Sequence, residues 1–458
     1  MKVVLVSTYE LGRQPFGLGS PAAWLAREGC DVTCSDLAVE ALDETAVRGA
    51  DLVAFHVPMH TATRLAARAA RRVRALNAGA HLCFYGLYAP VNEAYLRELG
   101  GRTILGGEFE AGLVSLVRRL AGSREPAVDQ PEPRISLQRQ RFLVPDRRGL
   151  PPLDRYARLQ VAHGELRTVG YTEASRGCKH ACRHCPIVPV YDGRFRVVQR
   201  DVVLEDVRRQ VAAGAEHVTF GDPDFFNGPA HGLAVVREMH REFPGLTYDV
   251  TIKIEHLLRR REHLPVLRDT GCLFVTSAVE SVDDRVLELL AKGHTRADFV
   301  ETVRVCREAG LPLNPTFVTF TPWTTPQRYA DLLEVLLELR LVDHVAPIQY
   351  AIRLLIVAGS KLLELEEVRA IAGGFDPQGL VHPWKHPDPR VDRLHADVQH
   401  AIREGHARHE DRREIFRRVW KLAREACGIT AGRAIDEWHL HAAPPPATVP
   451  YLTEPWYC

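Results

Sequence analysis

The sequence predicts an α/β protein: a doubly wound parallel-sheet domain, then a second β/α unit curled into a partial barrel, then a mostly helical C-terminal extension. Three observations predict it. Short β-branched runs alternate with amphipathic stretches over roughly the first 120 residues. After a proline-rich interval the same alternation resumes from about residue 165, and beyond about residue 360 the apolar spacing turns helical.

In the first unit, residues 3–6, 30–34, 52–56, 81–85 and 102–105 read as strands, and residues 20–28, 61–76 and 91–99 as helices. The run Gly106–Gly112 leads into a last helix, which completes a Rossmann-like domain over residues 1–121, with its ligand face at the strand C-termini. Prolines 126, 131, 133, 145, 151 and 152, mixed with charge, mark residues 122–164 as a linker. Strands are then expected at 168–172, 217–220, 247–252, 273–278, 313–319 and 346–352, with helices at 202–213, 234–242, 284–290 and 297–309 between them. Six β/α units within 165–360 suit a partial (β/α)6 barrel better than a full eight-stranded one, which needs ~250 residues. Residues 361–441 form the helical extension, where Ile415, Val419, Leu422 and Ala426 recur at helical spacing. Residues 442–458, opening Ala-Ala-Pro-Pro-Pro, form an extended tail.

The 458 residues carry a formal net charge of +1, which gives no reason to expect nucleic acid or an anionic membrane as partner. No stretch approaches the ~20 apolar residues that cross a bilayer, and a soluble, cytoplasmic protein is expected. Ten cysteines then read as reduced thiols and ligands, with Cys30, Cys83, Cys272 and Cys306 in apolar surroundings.

Three of the ten are grouped. Cys178, Cys182 and Cys185, in Ser-Arg-Gly-Cys-Lys-His-Ala-Cys-Arg-His-Cys-Pro, put three thiolates on one loop with no fourth cysteine. Soft thiolates suit zinc or iron–sulfur clusters, and a closed zinc site needs four ligands. A zinc loop completed by His180 or His184 is the alternative that the residues leave open. The spacing C-x3-C-x2-C after the first barrel strand resembles the radical S-adenosylmethionine (radical SAM) superfamily. That resemblance implies a 4Fe-4S cluster on the three cysteines, one iron of which is open to SAM.

The resemblance extends further along the barrel. His184 stands where the superfamily often has an aromatic residue near adenine. Phe220-Gly-Asp-Pro-Asp-Phe-Phe226 resembles the motif that receives the SAM amino group, with Asp222 the candidate contact and Asp224 the reserve. A polar strand-end turn is the other reading of that segment. Val275-Thr-Ser-Ala-Val-Glu-Ser281, continuing to Lys292-Gly-His-Thr295, is similar to a stretch whose acidic residue meets ribose, which implies Glu280 and Ser281 as SAM contacts. Lys292 and Thr295 read as structural, at a helix end. Asn314–Trp323 lacks the glycines usual beside the adenine pocket. Arg353 would meet the SAM carboxylate or a substrate anion, or serve as an ordinary structural arginine.

A Rossmann-like domain, a linker and this core together resemble the cobalamin-binding branch of the superfamily, and residues 144–156 resemble the segment that precedes its core. The Asp-x-His-x-x-Gly motif of cobalt ligation is missing, so cobalamin binding and a degenerate scaffold remain alternatives. The turn Phe16-Gly-Leu-Gly-Ser20 offers backbone N–H groups to a phosphate or corrin tail. His56 and His60 read as structural, with a place facing the shared cleft as the other option, and the histidines from His382 to His409 as solvated. The end, Glu-Pro-Trp-Tyr-Cys458, resembles radical SAM proteins with a Cys-Cys or Cys-selenocysteine Ala-Glu-Pro tail. The resemblance implies a truncated Cys–Sec pair with Cys458 as its first half; an ordinary terminus is the alternative.

Together these readings imply a radical SAM enzyme that cleaves SAM reductively to modify a small-molecule or peptide substrate, with flavodoxin or ferredoxin as reductant. A methylthiotransferase matches less well, because the N-terminal domain shows no second cysteine triad motif. The rival from another class is a non-enzymatic zinc-binding or thiol redox-carrier protein.

Overall fold

The computed structural model describes residues 1–122, 131–161 and 164–429, with the backbone of 451–452. Cys458 and nearly all of the tail lie outside the described residues. In the first unit β1 (Lys2–Ser7), α1 (Phe16–Arg27), β2 (Asp31–Asp36), α2 (Glu44–Arg48), β3 (Leu52–His56) and α3 (His60–Leu76) alternate. They are followed by β4 (His81–Tyr85), α4 (Glu93–Glu98), β5 (Thr103–Gly107) and α5 (Phe109–Leu120). Along β1, Val3 and Leu5 enter one core with Leu18 and Leu113, while Val4 and Val6 enter the other with Ala66 and Ala70. Both faces are covered, so the strands are continuous apolar runs, as doubly wound parallel sheets require.

The sheet has six strands in the order β2-β1-β3-β4-β5-β6, and its last strand, β6 (Ile135–Ser136), comes from the proline-rich segment. The same segment supplies β7 (Arg158–Gln160), antiparallel to β8 (Leu166–Thr172). It is also pinned by side chains. Arg147 donates to Asp206 at 2.8 and 3.0 Å and to the Tyr171 carbonyl, and Tyr156 donates to Asp36 at 2.9 Å. Residues 131–161 thus stitch the two units together as well as connecting them.

The second unit opens with the hairpin β9 (Ser175–Gly177) and β10 (Phe195–Val197) around α6 (Val188–Tyr191). It continues as α7 (Arg200–Ala212), β11 (His217–Phe220), α8 (Pro229–Glu242), β12 (Thr247–Thr251), α9 (Ile254–Arg259) and α10 (Leu264–Asp269). Then come β13 (Cys272–Glu280), α11 (Asp284–Leu289), α12 (Arg296–Glu308), β14 (Leu313–Phe317) and α13 (Pro326–Glu338). The sheet runs β14-β13-β12-β11-β8-β7-β15, where β15 is Tyr451–Leu452. Strands β8, β11, β12, β13 and β14 are parallel, a half-barrel of five.

The sixth strand expected at 346–352 does not form. Residues Pro347–Ala351 make a 3-10 turn, and only a lone parallel bridge joins Phe320 to Arg353. Pro347 has no N–H to give a ladder and fixes its own φ. The Gln349 side chain substitutes for the missing strand, accepting from the Phe317 N–H at 2.9 Å. Beyond it α14 (Glu366–Arg369), α15 (Pro389–Ala407) and α16 (Arg412–Ala426) form the helical extension, with Ile415, Phe416 and Val419 buried against the barrel core. No helix among the described residues is long and apolar enough to cross a membrane.

Candidate functional site

The cysteine loop leaves β9 at Gly177, whose φ is +75° and where a Cβ would lie 2.4 Å from the Tyr191 ring. Only glycine makes this exit. The Asn227 side chain accepts from the Lys179 N–H at 3.2 Å, and the Arg183 guanidinium donates to Glu288 O and Leu289 O at the end of α11. Those carbonyls have no partner within the helix, so the arginine caps it while fixing the loop. Burial pushes the Cys185 thiol up to about 12 and raises Cys178, and the neighbouring thiols add to both rises.

All nine described cysteines are free. Among the described residues the three sulfurs are not gathered within the 4.8 Å span of a single-ion site. Neither candidate histidine completes a zinc loop. His184 Nε2 lies 3.1 Å from Glu280 Oε1, and His180 points to Asp224 and His256. Three spaced thiols, one buried and two half-buried, with no fourth ligand suit a 4Fe-4S cluster with one iron open.

Glu280 ends β13 at φ +69°, beside a register shift in its pairing with β14. A bulge re-aims the side chain, and a left-handed non-glycine residue costs about 1–3 kcal/mol, strain that concentrates at functional sites. Burial opposes its charge, but Lys292 Nζ at 3.4 Å and His184 outweigh burial and hold the carboxyl down to about 2. The structure thus joins His184 and Glu280, which the sequence had proposed separately. It also gives Lys292, expected only to end a helix, a buried ion pair. Ser281 lies next to them and lines a small cavity of about 20 Å³ with Thr319 and Thr321.

Asp222 takes another part. One oxygen accepts from the Ser175 hydroxyl at 2.6 Å and the other from the Ala174 N–H at 2.8 Å, so it braces the entry to the cysteine loop. Burial raises its carboxyl to about 7. Asp224 caps Phe226 N with Oδ1 and turns Oδ2 towards His180 and His256. Arg353 is engaged away from the cysteine loop: it donates to Asp392 at 2.8 Å and to the Trp384 carbonyl, and stacks 3.8 Å from the Trp384 ring.

The strand C-termini of both sheets face a common cavity of about 210 Å³, lined by Glu10, Arg13, His56, Tyr171, Glu173 and Arg176 among others. His56 Nδ1 lies 2.6 Å from Glu10 Oε1, so this histidine is both paired and on the cleft. The cavity is smaller than the ~300–1,000 Å³ that encloses a drug-sized ligand. The turn expected to receive a phosphate or corrin tail is filled. The His56 ring stands where a Gly17 Cβ would project, and Gly19 is covered by Pro145 and Asp146. That turn is therefore closed to a phosphate or corrin tail in this arrangement.

Sequence reading missed Arg176, which is two residues before the first cysteine. It is buried among Glu110 at 2.7 Å, Glu173 at 2.6 Å and Glu108 at 3.5 Å, with the Phe16, Phe109 and Phe142 rings around it. The signal available was a pair of acidic residues in the otherwise apolar turn Gly-Gly-Glu-Phe-Glu-Ala, where a buried countercharge was due.

The radical SAM superfamily family model matches residues 172–336. By sequence, the chain is 26% identical over 188 residues to the ribosomal protein uS12 methylthiotransferase RimO of Parabacteroides distasonis, covering 38% of this chain and 42% of the relative. It is 24% identical over 233 residues to the hopanoid C-3 methylase of Methylococcus capsulatus, covering 48% of this chain and 43% of that protein. The chain thus spans less than half the length of these curated relatives. By fold, it resembles the radical SAM methyltransferase TsrM of Kitasatospora setae, solved with cobalamin and a [4Fe-4S] cluster (TM-score 0.60, 19% identity, 74% of this chain and 73% of the other). It also resembles the cobalamin-dependent radical SAM enzyme OxsB (TM-score 0.64, 14% identity, 88% of this chain and 67% of the other). At these identities the likeness is one of fold. The chain carries a radical SAM domain, matched over residues 172–336.

Proposed function

We propose that this chain is a radical SAM enzyme in which Cys178, Cys182 and Cys185 hold a 4Fe-4S cluster and start the radical modification of a small molecule. The observation that carries the reading is the braced loop of three spaced thiols, one buried and two half-buried, at the C-terminal mouth of a parallel half-barrel. When bound, the cluster supplies the electron that breaks a C–S bond of SAM and releases a deoxyadenosyl radical. A reductant must deliver that electron. Glu280, ionised throughout the physiological range, accepts from ribose hydroxyls, with His184 and Lys292 holding it in place. Asp222 and Asn227 fix the loop, and the charged cleft beside Arg176 admits a small polar substrate.

The curated relatives support a group-transfer reaction, a methylation or methylthiolation. Cobalamin is bound by both fold neighbours, as the domain order leads one to expect. The turn at Gly17 and Gly19 is filled, so a corrin tail would have to enter by another part of the cleft. The test is anaerobic reconstitution with iron and sulfide, followed by electron paramagnetic resonance of the reduced protein with and without SAM. A cluster signal that shifts on SAM addition in wild type, and shifts only at higher SAM concentration in Glu280→Gln, supports the assignment. A colourless protein, or a signal indifferent to SAM, removes it.

A further inference from the structure

His180 sits between the first two cysteines of the loop, yet its ring turns out of the loop towards the second and third barrel strands. Its Nε2 lies 3.6 Å from Asp224 Oδ2, and His256 Nδ1, from the first turn of α9, lies 2.7 Å from the same oxygen. The three ligand atoms fall within 4.8 Å of one another. All three are buried and none makes a directed hydrogen bond, so the His256 ring is close to the carboxylate without aiming an N–H at it. Asp224 is 1% exposed, and its other oxygen is already spent on the Phe226 N–H. Three separate elements therefore bring three buried polar atoms without a directed hydrogen bond to one point, and buried polar groups left this way call for a partner.

We propose that His180, Asp224 and His256 form a mononuclear divalent-metal site beside the cysteine loop and distinct from it. Two imidazoles and a carboxylate are a nitrogen–oxygen donor set suited to zinc or ferrous iron. Bonds of ~2.0–2.1 Å in a tetrahedron put ligand atoms roughly 3.3 Å apart, and 2.7 and 3.6 Å bracket that spacing. Lys253 Nζ lies 3.0 Å from His180 Nδ1 and 3.3 Å from Glu255 Oε2, and Glu255 Oε2 lies 3.8 Å from the same ring nitrogen. Lys253 can only donate, so His180 Nδ1 accepts from it as the structure stands; a metal on Nε2 moves the ring proton to Nδ1 and shifts Lys253 towards Glu255. Three protein ligands leave one position for water or for a substrate oxygen or nitrogen.

The site stands or falls independently of the cluster. The full chain is reconstituted anaerobically with iron and sulfide, loaded with zinc, passed over a gel-filtration column and assayed for zinc, iron and sulfide. Zinc is the probe because it outcompetes ferrous iron at such a donor set. The expected result is about one zinc per chain beyond the cluster iron, kept in Cys182→Ala and lost in both Asp224→Asn and His256→Gln. Asp224→Asn keeps the oxygen that caps Phe226, so it separates ligation from folding, and melting curves check both variants. Wild type that retains no zinc overturns the proposal. So does zinc that survives both substitutions, or zinc that leaves with Cys182→Ala and stays in Asp224→Asn.

Discussion

Asp222 and Glu280 are two buried carboxylates with opposite electrostatics. Asp222 is raised by burial from 3.8 to about 7, so the folded state binds its proton more tightly than the unfolded state. Its linkage makes stability fall as pH rises from about 4 to 7, and level off above. Urea denaturation across that range checks this: Asp222→Asn, neutral at every pH, is expected to show a shallower decline than wild type. Glu280 is lowered from 4.5 to about 2, which contributes stability above pH ~4.5 that is lost as pH falls towards 2. Lys292→Met leaves that charge buried without its cation. The expected cost is about 3–5 kcal/mol, read as a lower denaturation midpoint at neutral pH. An unchanged midpoint contradicts the pairing.

Among the elements, the strand ladder was legible because both sheets are built from short apolar runs broken by turns. The strands expected at 52–56, 81–85 and 217–220 match β3, β4 and β11 end for end. The failed strand at 346–352 shows what pattern reading lacks. Its apolar residues suit a strand as well as a buried turn, and a proline with a glutamine decided the outcome. Gln349→Leu keeps the bulk but frees the buried Phe317 N–H, and about 1–3 kcal/mol of stability should go with it in chemical denaturation. At the far end, Asp411 and Glu414 form a capping box at the start of α16. Asp411→Ala is expected to cost ~1 kcal/mol, seen as a modest drop in melting temperature.

In the whole molecule, the cysteine spacing pointed to the family whose model the core matches, while the charge network that holds the loop to the first domain was invisible. Arg176, Glu108, Glu110 and Glu173 are brought together only by the docking of two sheets, and no local spacing encodes that. The same holds for Asp224 and His256, which lie 32 residues apart and meet His180 only once the barrel curls. Arg176→Met leaves three carboxylates buried around an apolar chain, so it should cost about 3–5 kcal/mol and open residues 131–161 to limited proteolysis. Wild-type resistance in that variant would show that the network does not join the units. The proposed function rests on radical initiation at Cys178, Cys182 and Cys185. Its most direct test is 5′-deoxyadenosine formation by the reconstituted chain given SAM and a strong reductant. A brown protein that makes the nucleoside and a Cys182→Ala variant that makes none are expected; intact SAM with a cluster-loaded wild type would rule radical initiation out.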